Sequence, residues 1–336
     1  MSFWQREFDP KELAFGVAVL LPSLLLFLFS GAELWFQCAF VAMALLIVQR
    51  RVGASLGLLL VHAAVSAAVM ALFFFAIRSP PAFVAVVTLT GFASVRLASL
   101  DDRLQSLGTY TFIPALYIAC DTASATDGAH DLATLAGLLI VWPVAVASVA
   151  VVVRPGWPRR GSAAAAWRRW LGLGTPQTHD DAQGAMLRRA SWARSVSVML
   201  AAVFIEWRGL HDGQWTVWSA ASVTNADTAL ALAKFRDRAL GALAGVATGL
   251  VVGPQLPPWP AIYGLAMVCI FLTITVIRRY AFSYGARCFF VTLAAFGAHH
   301  GSGTANDRVF NVLIGGAIGL VVTVAFMAVA RALKRP

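Results

Sequence analysis

The chain has 336 residues, of which 59% are hydrophobic and only 12% charged, with a mean hydropathy of +0.75 and a formal net charge of +10. Soluble domains are about a quarter charged, so this composition excludes a soluble globular class and points to a lipid bilayer. The alternating apolar and polar pattern of a transmembrane barrel is absent from the sequence, which leaves helices.

A bilayer-spanning helix needs roughly 17 to 25 mostly apolar residues. In chain order such stretches fall at about 13–30, 33–49, 53–77, 81–98, 104–120, 131–153, 190–206, 214–231, 235–253, 259–277, 280–297 and 307–331. The expected fold is all-α and polytopic, with about twelve transmembrane helices in two six-helix pseudo-repeats. The flank REFDPKE mixes acids and bases and no small-x-small site follows the first apolar core, so that span reads as an anchor and not a cleaved signal. With the N-terminus placed inside, both termini are cytoplasmic. Of the 26 Lys and Arg, only Arg78, Arg208 and Arg308 then fall outside, and Arg287 is embedded. This asymmetry obeys the positive-inside rule. It accounts for the net charge with no nucleic-acid partner.

Within the first half, Trp35, Arg50-Arg51, Gly53 and Gly57 are echoed later by Trp215, Arg236, Arg238, Gly241 and Gly245. His62, in LLLVHAAVS, is a proton-relay candidate or a histidine bonded to a neighbouring helix. Composition changes sharply at residue 154, giving three segments. Residues 1–153 form a first membrane half, 154–189 a basic cytoplasmic linker, and 190–336 a second membrane half. In the linker, AAAAWRRWL reads equally as a partly ordered connection or as an interfacial helix, with Trp167 and Trp170 at headgroup level and Arg168 and Arg169 on anionic lipid.

In the second half Glu206, within FIEWRGLHDGQW, sits at the outer interface, as a partner of Arg208 or as a gate. Asp227 lies in SVTNADTAL, late in an inward-running span, and an intramembrane acid is a functional candidate by default. Asn225 beside it favours a helix break that would expose backbone groups to a ligand. The competing reading is an ion pair of Asp227 with Lys234 or Arg238. Next, KFRDRALGALAGVATGLVVG places Gly241, Gly245, Gly249 and Gly253 in one row. Such small residues let helix backbones approach where no hydrophobic drive exists between helices. Gly315 and Gly319 repeat the theme, and both rows read as packing faces, within the chain or between subunits. A homo-oligomer is plausible on that ground, a dimer by default. Arg287 is a carboxylate-capture candidate, since guanidinium binds carboxylate in bidentate fashion; snorkelling toward the cytoplasm is its alternative.

Cys38, Cys120, Cys269 and Cys288 lie in apolar spans with no CxxC pair, so they read as packing residues. His299-His300 has no third ligand at helical spacing, and no metal or cofactor is expected. No Walker A sequence occurs, and GSGT at 301–304 lacks its lysine, which removes an ATP-driven pump built from this chain alone. No constellation suggests an enzyme.

Trp215, then Arg238-x-x-Gly241-x-x-x-Gly245, then Arg278-Arg279-Tyr280, then Arg308 leading to Gly315-x-x-x-Gly319, resembles the fusaric acid resistance protein-like family, chiefly over residues 188–325. The resemblance implies an aromatic acid exporter of the bacterial inner membrane; plant aluminium-activated malate channels are similar to that family. Two positions depart from its pattern, Ala242 where threonine is usual and Asn311 where an acid often stands, and the linker replaces a large cytoplasmic domain. The expectation is a proton-coupled exporter of small organic, aromatic carboxylic acids. Asp227 would carry the proton and Arg287 attract the anion, with Arg238 near the inner mouth. A passive organic-anion channel and a non-transporting scaffold or lipid-binding partner are the alternatives.

Overall fold

Asp9 starts the first helix by a simple local mechanism. Its carboxylate accepts hydrogen bonds from the Lys11 and Glu12 amides at 3.1 and 3.2 Å, and Pro10 supplies a ready-made helical φ at the first position. In the computed structural model, which describes residues 7–97, 102–125, 131–154, 181–210, 212–257, 259–298 and 301–332, this helix α1 runs Pro10–Ser30. Gly31 ends it in the left-handed region at φ 70°, its amide bonded back to Phe27 O, as C-terminal glycines do.

The remaining helices are α2 (Leu34–Val52), α3 (Leu56–Ala76), α4 (Pro80–Arg96), α5 (Asp102–Ala125), α6 (Leu132–Leu139), α7 (Val141–Val153) and α8 (Asp181–Arg208). They continue with α9 (Gln214–Val223), α10 (Thr228–Val252), α11 (Pro260–Val276), α12 (Tyr280–Gly297) and α13 (Gly301–Ala332). Among the described residues the β-structure is confined to one isolated bridge, Phe8 to Ile277. Five helical stretches are long and apolar enough to cross a bilayer: Pro10–Ser30, Leu34–Val52, Leu56–Ala76, Leu132–Val153 and Asn306–Ala332. Large apolar side chains on several helices, Phe29, Val151 and Leu89 among them, are exposed. An all-helical chain of this kind belongs in a membrane.

The expected span at 214–231 is not one helix. α9 has 10 residues, about 15 Å at 1.5 Å per residue, and α10 then runs unbroken through residues 232–234, which lie between two of the expected spans. Physically, Thr224 leaves the helical region at ψ 124° while its hydroxyl folds back onto Ala220 O. Asn225 and Asp227 then offer side-chain oxygens to the Asp227, Ala229 and Leu230 amides. Such local bonds compete with the helix ladder. The linker segment 155–180, with its proposed interfacial helix, lies outside the described residues, as do His299 and His300.

The chain forms two compact units. The first comprises Met1–Ile47, Ile140–Arg154 and Arg236–Val312, and the second Val48–Leu139, Pro155–Phe235 and Leu313–Pro336. Each draws on both halves of the sequence. The first unit joins α1 and most of α2 to α11 and α12, while the second joins α3, α4 and α5 to α8 and α9.

In the first unit α1 lies along α11, where Gly16 faces Leu272 and Gly264 faces Phe27. The rings of Phe27, Phe36 and Tyr263 cluster with centroids 4.4 to 5.8 Å apart. A strap precedes α1: the Asp9 amide donates to Val276 O, the Arg278 amide donates to Glu7 O, and Arg278 Nη2 lies 3.1 Å from Asp9 Oδ2. The Glu12 amide first, and the Arg278 guanidinium next, hold the Asp9 carboxyl below its ordinary range. A depressed native value means the contribution is complete above the unfolded carboxylate value of about 4 and fades as pH falls through the native one. Hydrogen-exchange protection of the Asp9 and Arg278 amides should therefore hold at neutral pH and drop under acid. Protection that stays level to pH 2 would rule this latch out.

In the second unit α4 and α8 meet at Gly91 and Val198, and a Cβ at Gly108 would land on the Ser94 carbonyl. Gly315 and Gly319 of α13 do the same service for α9, facing Thr216 O and Ala220 O. The α10 row has an equally definite partner. A Cβ on Gly241, Gly245, Gly249 or Gly253 would meet Gly285, Gly285 again, Thr292 and Phe296, all on α12. Both rows are packing faces within the chain.

Candidate anion site

The close seam between α10 and α12 determines what surrounds Arg238. Because Gly241 and Gly245 lack side chains, the backbone of α12 comes in at Gly285, and Tyr280 and Tyr284 arrive beside the turn that carries Arg238. Arg238 Nη1 donates to Tyr280 Oη at 3.2 Å, and its guanidinium carbon sits 4.4 Å from the centroid of the Tyr284 ring. The two tyrosine rings stack at 6.1 Å. One turn further along α12, the Arg287 guanidinium lies 5.8 Å from the same Tyr284 centroid. Its Nε donates to Thr273 Oγ1 and its Nη2 to Ser283 Oγ, both at 3.3 Å. A third cation, Arg308 of α13, acts electrostatically on Tyr284, and Val312 one turn later packs against that ring.

Arg238, Arg287 and Arg308 are 2%, 7% and 2% exposed, and no Asp or Glu is buried among the described residues. Burying an ion costs several kcal/mol even after relaxation, and a desolvated cation–ring contact returns about 2 kcal/mol. Tyrosine rings and hydroxyls thus offset part of the cost of three cations. The Tyr284 hydroxyl is itself buried with no hydrogen-bond partner among the described residues, so a donor is in place for an anion.

The other sequence candidates lie apart from this cluster. Asp227 is exposed, in the second unit, with Oδ1 accepting the Ala229 amide at 2.7 Å and the Leu230 amide at 3.4 Å. It caps α10 where a mid-helix acid was expected. Lys234, its anticipated partner, donates to Ser222 O at 3.2 Å. Asn225 takes part in the break, its amide bonded to Thr323 Oγ1. His62 is buried in α3 facing the Tyr110 backbone. Glu206 is exposed and lines a cavity of about 300 Å³ with Asp212, Gln214 and Ser124, while Arg208 stacks on Trp207 at 5.6 Å. No group of three His, Cys, Asp or Glu among the described residues could hold a metal ion.

Sequence reasoning singled out Arg238 and Arg287 and met Tyr280 and Arg308 only within the family-like pattern, while Tyr284, Ser283 and Thr273 were missed. One signal was available: Tyr280, Tyr284 and Arg287 lie at i, i+4 and i+7, on one face of a helix.

Residues 200–322 match the sequence profile of the family described as fusaric acid resistance protein-like. That stretch contains Arg238, Tyr280, Tyr284, Arg287 and Arg308, as well as Asn225 and Asp227. The family is one of membrane transport and not of enzymes. No curated protein and no solved structure matches the chain.

Proposed function

We propose, from the premise that residues 200–322 are a fusaric acid resistance protein-like segment, that this protein passes small organic anions, aromatic carboxylates in particular, out across the inner membrane. One observation carries the reading: two buried arginines, Arg238 and Arg287, flank the Tyr284 ring, and a third buried arginine, Arg308, acts on it electrostatically. Guanidinium suits the planar carboxylate, and the stacked tyrosines suit an aromatic body.

The drive we assign is the membrane potential. An anion leaving an inside-negative cell gains about 2.3 kcal/mol per charge per 100 mV, so export needs no proton. Proton coupling through Asp227 is the weaker variant, because that carboxylate is already engaged by two backbone amides. The test is efflux of labelled salicylate from proteoliposomes under a potassium diffusion potential or an imposed pH gradient. Flux should follow the potential, and Asp227→Asn, which keeps a capping oxygen, should leave it within about twofold. Flux that needs the pH gradient and vanishes in Asp227→Asn would restore the proton cycle. No flux under either gradient would defeat the proposal.

A further inference from the structure

The same α10–α12 seam also lines a groove of about 590 Å³ within the first unit. Its floor is glycine and alanine of both helices, Gly241, Ala244 and Gly285 among them, and its walls carry Phe8, Phe282 and Phe289. The groove exists because small residues withhold the side chains that would fill it. Lining residues run from Leu240 to Thr248 on α10 and from Ala281 to Phe289 on α12, an advance of about 12 Å on each at 1.5 Å per residue. Beyond Thr248 the seam closes, with Thr292 and Phe296 against Gly249 and Gly253. A cleft that short is of the size that encloses a small molecule.

The charge in that lining is a carboxylate. Glu7 is the one ionisable group among the described lining residues, and it is half-buried. The strap fixes it through the main chain. The Glu7 carbonyl accepts the Arg278 amide at 2.9 Å, Phe8 bridges to Ile277, and the Asp9 amide donates to Val276 O at 2.9 Å. The ion pair of the strap belongs to the other acid, Asp9, which holds Arg278 at 3.1 Å. The Glu7 side chain takes no part in these bonds and is left to face the groove. Arg279 is exposed and outside the lining, its guanidinium 5.2 Å from the Phe282 ring. Water and salt screen such a charge, and its contact shows that this wall accepts a cation. Phenylalanine faces attract positive charge through the ring quadrupole, and a carboxylate does so directly. Wall and acid therefore select the same kind of ligand, whereas an anion would meet Glu7 as a like charge.

We infer that this groove is a binding site for an amphipathic cation, a hydrophobic amine or quaternary ammonium whose apolar body spans about 12 Å or less. The body lies on the glycine floor among Phe8, Phe282 and Phe289, and the cationic head pairs with the Glu7 carboxylate. The strap of residues 7–9 supplies that part of the wall, so the Asp9–Arg278 latch holds the site in shape. The ligand is opposite in charge to the organic anions assigned to the buried arginine cluster. The site therefore stands whether or not that cluster is the route of transport.

The test is calorimetric titration of (1-naphthylmethyl)trimethylammonium into the full chain in zwitterionic nanodiscs. Neutral 1-naphthalenemethanol is the control and empty nanodiscs give the partition blank. The cation should bind saturably and about tenfold more tightly than the alcohol. Glu7→Gln, which leaves the main-chain strap intact, should erase that preference without changing the alcohol. Glu7→Asp, which keeps the charge, should retain most of it. Arg279→Gln should tighten the cation about twofold by removing a like charge. Ala244 is exposed, and Ala244→Phe, which fills the groove, should abolish binding of both probes. Arg287→Met should leave binding unchanged while organic-anion flux falls, which separates this site from the proposed transport route. Equal binding of cation and alcohol, or cation binding indifferent to Glu7→Gln, would overturn the assignment.

Discussion

Replacing Arg287 by methionine should raise the melting temperature of the ligand-free protein and cut organic-anion flux about a hundredfold, the two effects having one cause. The guanidinium is buried with hydroxyl partners and a distant ring, and no carboxylate among the described residues is buried near it. Exchanging a buried ion for an apolar side chain of similar volume is often stabilising by about 1–4 kcal/mol. Here the exchange leaves no orphan behind. Thr273 Oγ1 donates to Ile270 O at 2.7 Å, and Ser283 Oγ donates to Thr273 O, so both hydroxyls keep backbone partners. The loss of flux follows from the loss of a charge-assisted, bidentate donor to the carboxylate, roughly 3 kcal/mol at its upper end and thus about two decades. Differential scanning of the reconstituted protein beside efflux assays would measure both. If Arg287→Met melts lower than the parent with salicylate absent, the arginine is a structural strut, and the anion-site reading of the cluster loses its footing.

The second large effect is expected at Gly245. A Cβ there would land on the carbonyl oxygen of Gly285, which is backbone and cannot swing aside. Gly245→Ala must therefore push α12 away from α10, at a cost of about 3 kcal/mol. The same displacement would carry Tyr280 and Tyr284 away from Arg238, so flux should fall with stability. Neighbouring glycines provide a graded control. At Gly241 the nearest atom, Gly285 N, lies at 3.0 Å, a tight contact; at Gly285 the nearest is Gly241 O at 3.5 Å, ordinary contact. The expected order of damage is Gly245, then Gly241, then Gly285, read from thermal unfolding of the three alanine variants. Equal tolerance at all three would mean the seam is looser than drawn, with no floor for the groove and no fixed place for Arg238.

How far the site was legible depends on which interactions are local. Asp227 shows the limit from one side. Its position after Asn225 was a correct sign of a helix break, because side-chain oxygens that compete with the backbone ladder act within two or three residues. What that carboxylate does was not legible, since capping α10 and carrying a proton call for the same residue in the same place. Arg308 shows the limit from the other side. As a lone charge near the start of a late helix it gave no sign of burial, and only the tertiary packing shows its side chain 2% exposed.

By itself the sequence determined the membrane class, the helical content, the family segment and the glycine rows. Each of these rests on composition or on a period of three to four residues, which a chain carries without reference to its neighbours. The tertiary structure alone decided that the α10 row faces α12, that α1 joins α11 across the length of the chain, and that Arg238 and Arg287 meet at the Tyr284 ring. Those outcomes depend on contacts between residues far apart in sequence, where side-chain volume selects the partner and desolvation sets the electrostatic consequence.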